Sequence, residues 1–200
     1  MTRKSGTPTK REQLIQTAVA LFAKNGIHAT GIDTIVEQSG VTKKTLYAHF
    51  RSKEELVLAA LRHYDGQFRN SFMRQVETKA RTPKARLSAV FDVAEAWFSQ
   101  QNFYGCMFIN AVGEHSTPDT SLRYVCSDFK RMMTEFILDL CVKAGARNPQ
   151  QLAEELALLL EGAIVTAQVS QKPDAAKIAK RAAEVLIDQQ IGKSANRSSN

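Results

Sequence analysis

Ile32-Asp33-Thr34-Ile35-Val36-Glu37-Gln38-Ser39-Gly40-Val41-Thr42-Lys43-Lys44-Thr45-Leu46-Tyr47-Ala48-His49-Phe50 is punctuated as two short helices. The first is amphipathic and stops at Gly40, a residue type that takes a left-handed C-terminal cap without steric cost. Val41 inserts an apolar anchor, Thr42 offers an N-cap hydroxyl, and a second short helix begins behind it. Two short helices joined by a glycine-containing turn of about three or four residues form the helix-turn-helix pattern.

Upstream, Leu14, Ile15, Ala18, Leu21 and Phe22 lie on one helical stripe, which Asn25-Gly26 terminates. Three capping-box signals mark helix starts: Thr9 with Glu12, Thr30 with Asp33, and Ser52 with Glu55. Downstream, Thr82-Pro83, Thr117-Pro118 and Asn148-Pro149 each set a capping residue before a proline at the first helical position, and Pro173 opens a last helix. Long apolar stripes follow, through Leu87, Val90, Phe91, Ala94, Trp97 and Phe98, then Leu122 to Leu140, then Leu152 to Ala163. Strand signals are nearly absent. The expected fold is all-α: a three-helix head carrying the helix-turn-helix, then a larger C-terminal helical bundle. The expected domains are a basic flexible arm over 1–8, the head over 9–55, the bundle over 56–191 and a disordered tail over 192–200.

The 200 residues carry 27 Lys+Arg against 20 Asp+Glu, a net charge of +7, with 44% hydrophobic residues, the balance of a soluble globular protein. The excess sits toward the front: residues 1–65 hold ten Lys/Arg and six Asp/Glu. The basic N-terminus is followed by no apolar stretch of signal-peptide type, and Leu156-Ala157-Leu158-Leu159-Leu160 is far too short to cross a bilayer. Cys106, Cys126 and Cys141 are odd in number and lack C-x-x-C spacing, so a reducing cytoplasm is the expected location. Glu114, His115 and Asp119 fit no helical metal-ligand spacing, and neither metal nor cofactor is expected. The common catalytic motifs are missing, so no enzyme is expected.

In a helix-turn-helix the second helix enters the major groove while its neighbours hold phosphates. Lys43, Lys44 and Thr45 occupy its first turn here, and Leu46 and Phe50, four apart, form its buried face. Tyr47 and His49 flank that face as phosphate donors, and Lys53 adds a cation at the next helix N-terminus.

The stretch from Thr9 to Leu61 resembles the DNA-binding domain of TetR/AcrR family transcriptional regulators. The likeness rests on Ala18, Leu21-Phe22, Gly26, Thr30, Ile35, Gly40-Val41, Thr45-Leu46-Tyr47, His49-Phe50 and Lys53-Glu54-Glu55-Leu56. Gly31 and Val36 depart from the family pattern, at a hydroxyl position and at a small-residue position. The resemblance implies that Thr30, Thr42, Lys43, Lys44, Thr45, Tyr47, His49 and Lys53 contact DNA. Of these, Lys44 and Thr45 would face base edges, Lys43 either a base or a phosphate, and Tyr47, His49 and Lys53 the backbone. It also implies a homodimer on a palindromic operator, built on the last two long helices through Leu152, Leu156, Leu159, Leu160, Ala163, Ile178, Ala182 and Val185. Ala163, Ala167, Ala179 and Ala183 would allow close helix approach there.

A small-molecule effector pocket is expected between residues 84 and 145, with Trp97, Phe108, Asn110, Phe129, Met132, Met133 and Phe136 as its wall. The competing reading of each is plain core, because a stripe at helical spacing does not name its partner. Cys106 as an oxidant sensor competes in the same way with a small buried hydrophobe. The expected function is a ligand-responsive, sequence-specific transcriptional regulator, a repressor released from its operator by a small molecule. The alternative is an activator, or a non-specific DNA binder of the same fold.

Overall fold

Thr9 starts the first helix with a capping box: its hydroxyl accepts the Glu12 N–H at 3.2 Å and the Glu12 carboxylate accepts the Thr9 N–H at 2.7 Å. In the computed structural model, which describes residues 7–115 and 120–192, nine helices and no strands occur among the described residues. They are α1 (Lys10–Asn25), α2 (Ile32–Ser39), α3 (Lys43–His49), α4 (Lys53–Lys79), α5 (Pro83–Phe98), α6 (Met107–Gly113), α7 (Ser121–Lys143), α8 (Pro149–Ser170) and α9 (Ala175–Ile191). Nearly all of the basic arm and of the expected tail, together with Thr117, Pro118 and Asp119, lie outside the described residues. No described helix is long and apolar enough to cross a membrane.

The chain forms two compact units, and they do not divide it end to end. One unit comprises Met1–Phe68 and Met107–Phe129, so α6 and the start of α7 belong with the head helices. Leu14, Ile15, Ala18 and Phe22 of α1 bury against Ile35, Val41, Leu46 and Phe50, which fixes α2 and α3 around one small core. Leu56, Val57, Ala60 and Leu61 of α4 are buried in the same unit. Its second cluster is aromatic: Phe108 stacks on Phe129 at 3.9 Å between ring centroids, with Tyr64 and Phe68 beside them.

The other unit comprises Arg69–Cys106 and Lys130–Asn200. Here α8 packs on α9, and α5 packs on both. The close α8–α9 approach uses small residues, since Ala163, Ala167, Ala179 and Ala183 are all buried. These alanines pack within the protomer, where they permit the close helix approach expected of them. Lys180 pairs with Asp92 at 2.7 Å, Lys177 with Glu95 at 3.1 Å and Lys84 with Asp188 at 2.8 Å, all between α5 and α9.

Several helix starts differ from the sequence reading. The N-cap of α2 is Gly31, with no side-chain hydrogen bond, and not Thr30. α7 begins at Ser121, where the Thr120 hydroxyl accepts the Arg123 N–H at 3.3 Å. α9 begins at Ala175, two residues beyond Pro173. Pro83 and Pro149 stand as expected at the first turn, behind Thr82 and Asn148.

Candidate nucleic-acid interface

Gly40 adopts the left-handed conformation (φ +65°) that ends α2 and turns the chain into α3. Thr42 then caps α3: its hydroxyl accepts the Thr45 N–H at 3.2 Å and lies 2.9 Å from the Thr45 hydroxyl. A helix of seven residues is too short to hold itself in water, so its order comes from this cap and from burial. Leu46 and Phe50 supply the burial, at 0% and 1% exposure. With that face committed, Lys43, Lys44, Tyr47 and His49 are left exposed, and Thr45 is half-buried at their edge. Arg11 of α1 sits over the Phe50 ring at 5.1 Å, placing another cation beside this helix.

The cations are not equivalent. Lys43 is held by Asp33 of α2 at 2.7 Å, and that carboxylate raises the ammonium above its ordinary range, chiefly through their hydrogen bond. Lys44 is exposed and has no ion-pair partner among the described residues. Lys53, half-buried at the start of α4, reaches toward the His28 carbonyl at 3.5 Å. Ser52 caps α4 by accepting the Glu55 N–H at 3.2 Å, while the Glu55 carboxylate accepts the Arg51 N–H at 2.7 Å.

Seven of the eight expected contact residues thus gather on α3 and the flanking ends of its neighbours. Thr30 does not. It is buried at 1% exposure, and its hydroxyl donates to the Gly26 carbonyl at 2.6 Å, so it cannot reach a phosphate.

The expected effector wall is divided between the units. Phe108 and Phe129 fill each other's surface in the first, where Asn110 is half-buried. In the second, Trp97 packs edge-on against Phe103 at 5.1 Å, Met133 and Phe136 are buried, and Met132 is half-buried. A cavity of about 690 Å³ lies in the first unit, lined by Ile27, His28, Lys53, Val57, His115 and Leu122 among others. All three cysteines are free and buried; burial pushes the Cys141 thiol up to about 12. Cys106 has the Lys130 ammonium 3.5 Å from its sulfur, and Lys130 is itself paired with Glu161 at 2.6 Å.

The expected dimer residues also separate. Leu152, Leu156, Leu160 and Ala163 are buried within the protomer, and Leu159 is half-buried. Ile178, Ala182 and Val185 of α9 are exposed, and α8 adds an exposed stripe through Leu158, Val165 and Val169 that the sequence reading did not single out.

One further group was placed only by the fold. Glu114, directly behind α6, accepts the Ile27 N–H at 2.9 Å and the His28 N–H at 2.6 Å, and lies 3.3 Å from the His28 ring. Burial disfavours its charge, but the bonds from His28 and Ile27 and the nearby imidazole outweigh that and hold the carboxyl below its usual range.

Comparison with known proteins agrees with this geometry. Residues 14–60 match the family of bacterial regulatory proteins described as tetR. The HTH-type transcriptional activator FasR of Mycolicibacterium smegmatis is 39% identical over 90 residues, covering 43% of this chain and 41% of that protein. The HTH-type transcriptional repressor KstR2 of the same organism is 31% identical over 83 residues, covering 42% and 40%. The chain spans well under half the length of these curated relatives. In fold it is similar to a TetR-family transcriptional regulator from Streptomyces coelicolor, with a TM-score of 0.82 at 24% identity over 91% of this chain and 96% of that one. It is also similar in fold to a cysteine-substituted form of the regulator CifR solved with 26-base-pair double-strand operator DNA, with a TM-score of 0.74 at 20% identity over 94% and 100%.

Proposed function

We propose that this member of the tetR family of bacterial regulatory proteins is a sequence-specific, dimeric DNA-binding repressor that a small molecule releases from its operator. The observation that carries the reading is α3 itself. Its apolar face is fully used inside the protein, while Lys44, Tyr47 and His49 stand exposed on a helix whose first turn carries three consecutive polar residues, Lys43, Lys44 and Thr45. Lys44 and Thr45 read base edges; Tyr47, His49 and Lys53 hold the sugar–phosphate backbone. Lys43 joins them by exchanging Asp33 for phosphate, a modest cost for an exposed pair.

One α3 reads too few bases for useful discrimination, so two heads on a two-fold axis are required. The exposed apolar residues Leu158, Val165 and Val169 of α8 with Ile178 and Val185 of α9 support a second copy of the chain as their cover. The effector acts on the helices between residues 84 and 145, favouring a state in which the two α3 helices no longer match adjacent major grooves, by about 1 to 3 kcal/mol. A repressor is the sign carried by KstR2; the activator sign of FasR would appear as transcription that falls when the gene is deleted.

Selection of the purified protein on a random duplex library tests the reading. Enrichment of a palindrome with half-sites about one helical turn apart is expected. Salt-sensitive binding with no enriched sequence would replace it with a general DNA binder, and absence of binding with or without cell extract metabolites would refute it.

A further inference from the structure

Ile27 and His28 are the first two residues after the Gly26 cap of α1, and among the described residues neither N–H has a backbone acceptor. Both amides are satisfied instead by one side chain from 86 and 87 residues further along: Oε1 of Glu114 takes Ile27 and Oε2 takes His28. A carboxylate gripping two consecutive amides, one oxygen on each, fixes both the position and the direction of that peptide. The packing around it is equally close. A Cβ at Gly26, where φ is +85°, would stand 2.9 Å from Oε1, so the carboxylate lies against the one residue that has no side chain to displace it.

The gripped segment is short and stiff. Ile27 is buried, the Thr30 hydroxyl closes back onto the Gly26 carbonyl, and α2 begins at Ile32. α2 in turn carries Asp33, which holds Lys43 of α3. At the other end, Glu114 follows α6 directly, its own N–H bonded to the Asn110 carbonyl at 3.0 Å. α6 is anchored by buried Met107, Phe108 and Ala111, with Phe108 stacked on Phe129 of α7. Any shift of α6 larger than a few tenths of an ångström must lengthen bonds of 2.6 and 2.9 Å, which weaken steeply with distance.

We infer that Glu114 is a positioning residue for DNA reading: its carboxylate ties the segment that leads into α2 and α3 to the end of α6. This rests on the assignment of α3 as the reading helix. The polar contact fills a role that apolar packing could not, because a bidentate grip is lost stepwise over a small displacement and so transmits one.

The test uses the full-length protein with Glu114→Ala and Glu114→Gln, the duplex enriched from the random library, and amide hydrogen exchange of the free protein. Exchange at Ile27 and His28 is expected to accelerate at least about tenfold in Glu114→Ala, with operator affinity about tenfold lower and its salt slope unchanged, because no phosphate contact is removed. Glu114→Gln should fall between, since its amide oxygen can accept one N–H while its NH2 faces the other. Gly26→Ala, made in both backgrounds, covers the case in which Glu114→Ala destabilises the whole head. Its penalty on affinity should shrink when the carboxylate is absent. Unchanged affinity in both Glu114 variants, or strictly additive penalties with Gly26→Ala, would overturn the inference while leaving the DNA-reading assignment standing. Failure of the unaltered protein to prefer any duplex would overturn both.

Discussion

Replacing Thr42 with alanine isolates the contribution of the cap to α3. The Thr42 hydroxyl is the acceptor for the Thr45 N–H at 3.2 Å, and alanine leaves that donor without a side-chain partner at the start of a seven-residue helix. Loss of such a cap costs about 1 kcal/mol, within a range of about 0.5 to 2. Leu46 and Phe50 remain buried, so α3 stays docked and the cost appears as a lowered stability of the head and not as its unfolding. The stability loss also sets a ceiling on the effect of helix order: at about 1 kcal/mol, operator affinity can fall through it by no more than about fivefold. Thr42→Ser keeps the oxygen and should match the wild type in both measurements. Urea denaturation followed by circular dichroism gives the first quantity, and fluorescence anisotropy on the selected duplex gives the second. An unchanged urea midpoint in Thr42→Ala would refute the capping argument, and an affinity loss well beyond fivefold with a small stability change would show the hydroxyl on the DNA itself.

Acid titration addresses the Glu114 grip. A carboxyl held below its ordinary range when folded contributes stability that is present above its unfolded value, near 4.5, and is lost as pH falls through the folded value. The urea-stability gap between wild type and Glu114→Gln should therefore be full at pH 7 and close below about pH 4.5; a gap independent of pH would contradict it. Lys53→Ala should lower the slope of log affinity against log salt by about one, as expected for a single lost phosphate contact, and an unchanged slope would remove Lys53 from the interface. Val169→Asp with Ile178→Asp places charge on the exposed α8 and α9 stripes and should convert a dimer to a monomer in analytical ultracentrifugation; a persistent dimer would move the interface elsewhere.

Local punctuation made the head legible. The Thr9–Glu12 box, the left-handed Gly40 and the Thr42 cap each depend on residues within three positions of one another, and each forms as the sequence implies. The same reasoning failed at Thr30, where hydroxyl and acid three apart match a capping box. Its oxygen is spent four residues back on Gly26, Asp33 is spent on Lys43 across the turn, and Gly31 serves as the cap. Glu114 was illegible for a related reason: its partners are backbone amides of Ile27 and His28, which carry no side-chain signature and lie far away in sequence. On α8, helical periodicity correctly grouped Leu152, Leu156 and Leu160 but could not say which surface they meet. The fold buries them in the protomer, and the residues left exposed, Leu158, Val165 and Val169, form a sparser stripe that periodicity alone passes over.

If the exposed face of α3 reads sequence, the ratio of two affinities reveals it. Wild type and Lys44→Ala are titrated at one salt concentration against the selected palindrome and against a scrambled duplex of the same composition. A wild-type preference of at least about a thousandfold is expected, with most of the loss in Lys44→Ala falling on the palindrome and little on the scrambled duplex. Equal binding of both duplexes by the wild type, or an equal loss on both in the variant, would contradict it.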